Sequence, residues 1–232
     1  MQYRQDRLDR LAPFLAATPD VREQMKRRIK SKFGLTGGKP LVLVGSHWTP
    51  GGILRAFGGG ILDALAPLAG ECEIAQISHP NLWEDLPYDT WHPTNRWPSQ
   101  KEFSSAWICA ALDARQNAGI VKVIDDLEST DLLMAADLHI GDYSSNVIEF
   151  SNFDRPILFY GAQERFFDSK IYDLYAGAST PFHSADYIAR LARLALGNPE
   201  INQAGRQRLC RHFNYNIGGA TKAVVEAISG LS

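Results

Sequence analysis

Five short segments of this chain read as apolar strands, and helical patterns separate them: LVLVG (41–45), EIAQIS (73–78), VKVID (121–125), LHIG (138–141) and PILFY (156–160). A strand that is apolar on both faces has to be covered on both faces. Strands of that kind alternating with helices predict an α/β fold built on a parallel sheet with helices on either side. In such sheets ligands bind outside the carboxyl ends of the strands. The residues that follow each strand therefore matter more than the strands themselves.

Between and around the strands, helices are expected over 5–16 and 20–33, with Asp20 as the N-cap of the second. GILRAFGGGILDALAPL (52–68) reads as helix interrupted by Gly58-Gly59-Gly60. Further helices are expected over 100–117, 130–136, the NVIEFSNF segment, and three stretches of the tail (184–197, 200–213, 217–230). Residues 81–99, NLWEDLPYDTWHPTNRWPS, form a long loop whose Trp83, Trp91 and Trp97 either stack a ligand ring or pin the loop. Residues 1–34 read as an N-terminal helical segment and 35–232 as the strand-containing domain.

With 232 residues, 45% hydrophobic and 22% charged, the chain has the composition of a globular protein with a sizeable core. A net charge of −2 gives no global attraction to nucleic acid. Cys72, Cys109 and Cys210 are odd in number and widely spaced, which suits reduced core thiols in a cytoplasmic protein. The basic run Lys26, Arg27, Arg28, Lys30 and Lys32 reads as a solvated helix face. Its alternative is a peripheral contact with the inner face of a membrane.

The strand ends collect polar residues on one predicted edge. Ser46, His47, Trp48 and Thr49 follow the first strand and His79 the second. Asp125 and Asp126 end the third, Asp142, Ser144, Ser145 and Asn146 follow the fourth, and Gly161, Gln163 and Glu164 follow the fifth. Gly141 to Asn146 lies between a strand and a helix, where free backbone N–H groups and hydroxyls favour an anion. The plainer reading is that Asp142 or Ser144 caps that helix. His79 and His47 could hydrogen-bond a phosphate or move a proton near neutral pH. Glu149, one helical turn in, either meets ribose hydroxyls or is an exposed helix acid. The chain has no G-x-x-x-x-G-K-[ST] loop, no G-x-S-x-G elbow and no metal-ligand spacing.

DLLMAADLHIGDYSSNVIEFSNFDRPILFY (131–160) resembles the signature of the CDP-glycerol glycerophosphotransferase family of teichoic-acid and capsule polymerases. MKRRIKSKFGL leading into LVLVGSHWTP, and His79-Pro80 after a strand, are similar to further family motifs upstream. The resemblance implies a Rossmann-like domain, the C-terminal, donor-binding half of a GT-B architecture. It implies that Ser144 and Ser145, grouped with Asn146, hold the diphosphate of a CDP-activated polyol, while Asp142 braces the turn. His79, with His47, would assist transfer. Glu149, with Thr49 and Asp126, would hold the ribose and nucleotide. No cofactor is expected, since the activated donor is a substrate. The expected partners are that donor, a cell-envelope polymer as acceptor, and an N-terminal acceptor domain or subunit.

Two local departures stand out. The segment Ser46 to Pro50 lacks the basic residue usual in the similar motif, and Gly141 stands where Thr is common. Two other readings are another GT-B enzyme, such as a glycosyltransferase or nucleotide-sugar epimerase, and a non-enzymatic module that binds a nucleotide or partner.

Overall fold

The computed structural model describes residues 9–48, 51–79, 104–124, 130–161, 169–214 and 217–229. Its centre is a six-stranded sheet: β1 (Leu41–Ser46), β2 (Glu73–Ser78), β3 (Lys122–Ile124), β4 (Leu138–Gly141), β5 (Ile157–Tyr160) and β6 (Thr180–Phe182). The strands run in the order β3-β2-β1-β4-β5-β6, and every neighbouring pair is parallel. That is the doubly wound Rossmann order, whose direction of winding reverses between β1 and β4.

The helices are α1 (Ala12–Ala16), α2 (Pro19–Lys32), α3 (Ile53–Phe57), α4 (Gly60–Leu65), α5 (Ser105–Asn117) and α6 (Thr130–Ala135), followed by α7 (Ser145–Phe150), α8 (Ser169–Ala178), α9 (Ile188–Gly197), α10 (Gln203–Phe213) and α11 (Ala220–Ser229). Side chains alternate across a strand, and the two cores follow that parity. Val42, Val44, Leu138, Ile140, Leu158 and Tyr160 pack with α3, α4, α5 and α9. Leu41, Leu43, Ile157 and Phe159 face the other way, onto α6, α7, α8 and α10. Both faces are therefore apolar, as a sheet sandwiched between helices requires.

The expected glycine break falls after α3, where Gly58 takes φ 55° and releases the chain into α4. β6 and α8 fall between the segments read from the sequence. β6 is three residues long with Pro181 at its centre, tolerable only because the strand sits at the sheet's edge. Asp20 lies in the first turn of α2, and Thr18 takes the N-cap position.

The basic run of α2 is not one solvated face. Arg27, Arg28 and Lys32 are exposed, but Lys26 and Lys30 are buried at the amino edge of the sheet. Lys26 Nζ lies 2.6 Å from Asp137, and Lys30 Nζ lies 3.6 Å from Glu73. The other oxygen of Asp137 accepts the Leu41 N–H at 2.8 Å. These bonds fasten α2 to the ends of β1, β2 and β4. No helix among the described residues is long and apolar enough to cross a membrane.

Candidate functional site

In an open α/β sheet ligands bind outside the carboxyl ends of the strands where the winding reverses, here between β1 and β4, and the loops after those two strands meet there. Their arrangement depends on Asp142. Its buried carboxylate accepts the His47 N–H at 2.8 and 3.0 Å and the Ile53 N–H at 2.9 Å. Ser46 Oγ accepts the Leu54 N–H at 3.1 Å and donates to the His47 carbonyl at 2.9 Å. The first N–H groups of α3 are thus capped from within the protein. Burial pushes the Asp142 carboxyl up to about 6, against the lowering effect of the Ile53 and His47 N–H bonds.

The start of α7 differs. Ser144 is its N-cap residue in extended conformation, yet its side chain makes no cap bond. Ser144 is 9% exposed, and its Oγ is buried with no hydrogen-bond partner among the described residues. The turn is held by other atoms. The Ser144 N–H donates to the Asp142 carbonyl at 2.7 Å, and Tyr175 Oη donates to the Ser144 carbonyl at 3.2 Å. Tyr143 stacks on Tyr175 at 4.7 Å between ring centroids. Capping by Ser144, the plainer expectation, is therefore not what its hydroxyl does. One strand-to-helix junction uses its donors internally, and the other presents a buried hydroxyl beside half-exposed Ser145 and Asn146.

His47 and His79 come together across the ends of β1 and β2. Their ring centroids are 5.9 Å apart, and Trp48 lies 5.9 Å from His47 and 6.0 Å from His79. Burial, and then the neighbouring His79, pull the His47 imidazole down to about 4. His47 is accordingly neutral at pH 7, able to accept a proton or share one with an oxygen. The basic side chain beneath this loop is Arg55 on α3, which is buried. It donates to the Trp48 carbonyl at 3.2 Å and to Ser105 Oγ at 2.9 Å.

Glu149 is 1% exposed, so it is not an exposed helix acid. It is buried in α7, as are its neighbours Val147, Ile148 and Phe150. Thr49, Asp126, Trp83, Trp91 and Trp97 lie outside the described residues, as do Asp125, Gln163 and Glu164.

One residue near the site escaped the sequence reading. His139 stands in the middle of β4 and is fully buried, with Nδ1 3.1 Å from the Leu43 carbonyl. A Cβ on Gly141 would come within 2.6 Å of its Nε2 and 2.8 Å of Val147. One on Gly45 would come within 2.9 Å of its Cε1. The ring fills the space that side chains at both positions would need, which accounts for glycine at 141 in this chain. The signal was present: a histidine inside an otherwise apolar strand, two residues before a glycine.

The comparisons with known proteins agree with this architecture. Residues 108–230, more than half of the chain, match the model of the CDP-glycerol:poly(glycerophosphate) glycerophosphotransferase family. The teichoic acid glycerol-phosphate primase of Bacillus subtilis strain 168 is 39% identical over 66 residues, 28% of this chain and 16% of that protein. That of Bacillus spizizenii is 36% identical over 85 residues, 37% and 19% respectively. The chain thus spans less than a fifth of either primase. The wall teichoic acid polymerase TagF superposes with a TM-score of 0.63 at 15% identity, covering 97% of this chain and 50% of the polymerase. The C-terminal CMP-Kdo binding domain of WaaA from Acinetobacter baumannii superposes at 0.51 and 15% identity, covering 82% of this chain and 98% of that domain. At such identities the superpositions speak for fold alone, and the fold is one Rossmann-like half of a GT-B transferase. From the family match and the signature at 131–160, the chain belongs to the CDP-glycerol:poly(glycerophosphate) glycerophosphotransferase family.

Proposed function

We propose that this chain binds the nucleotide donor of a glycerophosphotransferase, a CDP-activated polyol such as CDP-glycerol. The observation that carries the reading is the buried, unbonded Ser144 hydroxyl at the uncapped start of α7, placed where the strand order reverses. A hydroxyl buried without a partner is costly, and a phosphate oxygen would satisfy it. Ser145 and Asn146 add backbone N–H groups, and the helix end adds partial positive charge. Glu149 is assigned to the ribose, whose hydroxyls are donors that suit a carboxylate. Thr49 and Asp126 remain assigned to the nucleotide.

In the proposed reaction a hydroxyl of a cell-envelope polymer attacks the phosphorus that bears the polyol. An O–P bond forms, the bond to the bridging oxygen breaks, and CMP leaves with that electron pair. The hydroxyl proton passes to an imidazole. His79 and His47, whose rings lie 5.9 Å apart, are assigned to this proton and to the phosphate. Charge that develops on the leaving phosphate is met by the donors of the 144–146 turn. The acceptor half is assigned to a further domain or subunit, because TagF is about twice the length that this chain covers.

Calorimetric titration with CDP-glycerol, CDP and UDP tests the reading. It expects binding of both cytidine ligands and weaker binding of UDP. A chain that binds none of them is not a donor domain, and preference for UDP would favour a nucleotide-sugar enzyme.

A further inference from the structure

Helix α7 begins without help from its own N-cap. Ser144 takes the extended N-cap conformation, φ −128° and ψ 162°, but its side chain makes no cap bond. An N-cap side chain ordinarily fixes the first turn of its helix. Here the fixing bond comes from another helix. Tyr175 on α8 is 2% exposed, and its Oη donates to the Ser144 carbonyl at 3.2 Å. Its ring is held by Tyr143 at 4.7 Å and by Phe159 of β5 at 5.5 Å between centroids. A phenylalanine would fill the same volume, so packing does not account for the hydroxyl.

The bond settles the direction of a second group. No peptide bond among the described residues is cis. In a planar trans peptide the C=O and the following N–H point in opposite directions. The Ser144 carbonyl also accepts the Val147 N–H at 3.3 Å, so it points along α7. The Ser145 N–H therefore points out of the helix end, away from Tyr175. As the first N–H of a helix it has no acceptor within α7, and it donates to nothing else among the described residues. A donor on the carbonyl also polarises the amide and strengthens its N–H as a donor.

We infer that Tyr175 is a positioning residue for the donor: by holding the Ser144 carbonyl, its hydroxyl aims the Ser145 N–H at the donor's phosphate. Tyr175 itself does not touch the ligand. This rests on the donor-binding reading given above. It extends that reading to α8, a helix that supplies no residue to the strand ends.

The test is calorimetric CDP titration of the full chain and of Tyr175→Phe, Ser145→Ala, Ser145→Pro and the double variant Tyr175→Phe/Ser145→Pro. Wild-type binding of CDP is the donor reading's own requirement; if it fails, both ideas fall. Given binding, Tyr175→Phe should lose about fivefold in affinity, the worth of one hydrogen bond. Proline suits the first position of a helix when the residue before it is extended, as Ser144 is. Ser145→Pro thus deletes the N–H and leaves the turn folded. It should bind about tenfold more weakly than Ser145→Ala, which keeps the N–H. The double variant should bind CDP no more weakly than Ser145→Pro, because no N–H is left to aim. The lost bond should lower the melting temperature by about 2–4 °C in either background, so the affinities alone report positioning. In wild type the Ser145 amide proton should shift downfield on adding CDP, and less so in Tyr175→Phe. Undiminished affinity in Tyr175→Phe, losses that add in the double variant, or a Ser145 amide indifferent to CDP would each overturn the inference and leave the donor reading standing.

Discussion

The carboxylate of Asp142, at the end of β4, accepts the backbone N–H of His47, just past the end of β1, at 2.8 and 3.0 Å. The same carboxylate takes the first N–H of α3, so one side chain ties the loop after β4 to the loop after β1 at the sheet's carboxyl edge. Asp142→Ala would strand two N–H groups and should cost about 2–4 kcal/mol in urea unfolding. Asp142→Asn keeps one oxygen where both N–H groups meet and should cost about 1 kcal/mol. Equal losses in the two variants would mean that these bonds do not set the loop.

Gly141 and His139 compete for one volume. Gly141→Thr, which installs the residue common in the family's signature, should destabilise by about 1–3 kcal/mol through overpacking against the ring and Val147. In a His139→Leu background the same change should cost much less, because leucine can turn away from it. A double-mutant cycle in urea measures the coupling. Strict additivity would show that the ring does not exclude the side chain.

Acid should weaken the fold through its histidines. Burial holds His139 down to about 4 from an ordinary 6.5, and His47 likewise. The folded chain then binds fewer protons than the unfolded chain between those values, so stability falls as pH drops through that window. Asp142 works oppositely: its carboxyl, raised to about 6, contributes stability below about 4 that is lost as pH rises through 6. Two histidines outweigh one aspartate, and the net effect between pH 7 and 4 is a loss. His139→Leu should remove about 3 kcal/mol of that loss, read from urea curves at pH 7.5 and 4.5. An unchanged pH difference in the variant would mean His139 is not held neutral.

At the opposite edge of the sheet, Asp137 bonds Lys26 and the Leu41 N–H. Asp137→Ala strands the Leu41 N–H and takes one of two carboxylates from Lys26 and from Lys30, which keep Glu23 and Glu73, and should cost about 2 kcal/mol. CDP affinity should stay within about twofold of wild type, because the change lies at the far ends of the strands from the 144–146 turn. A large affinity loss with little loss of stability would place this edge in the binding site.

Much of this architecture was legible in the sequence because the central strands are apolar on both faces. β1, β4 and β5 are buried along their whole length, and nothing but a covered parallel sheet accommodates such segments. β6 was not legible: three residues around a proline carry no periodic signal, and only the neighbouring β5 makes them a strand. The inward turn of Lys26 and Lys30 was hidden for a similar reason. A run of five cations looks solvated until the carboxylates of Glu73 and Asp137, far along the chain, are brought to it. Residue type and strand-end position were enough to place His47, His79, Asp142 and Ser144 along the carboxyl edge of the sheet. They could not tell which helix end was already capped. That depended on where the Asp142 and Ser46 oxygens point, a property of the assembled loops.

The central claim is that the Ser144 hydroxyl is kept for a ligand and not for its helix. Thermal melting and CDP calorimetry on Ser144→Ala test it together. The account predicts a melting temperature within about two degrees of wild type, or above it, because no cap bond is lost. It also predicts a fall in CDP affinity of about 10- to 100-fold, the range for a hydrogen bond to a charged group. A melting temperature lowered by about 5 °C or more with undiminished CDP affinity would contradict it, and would make Ser144 a helix cap after all.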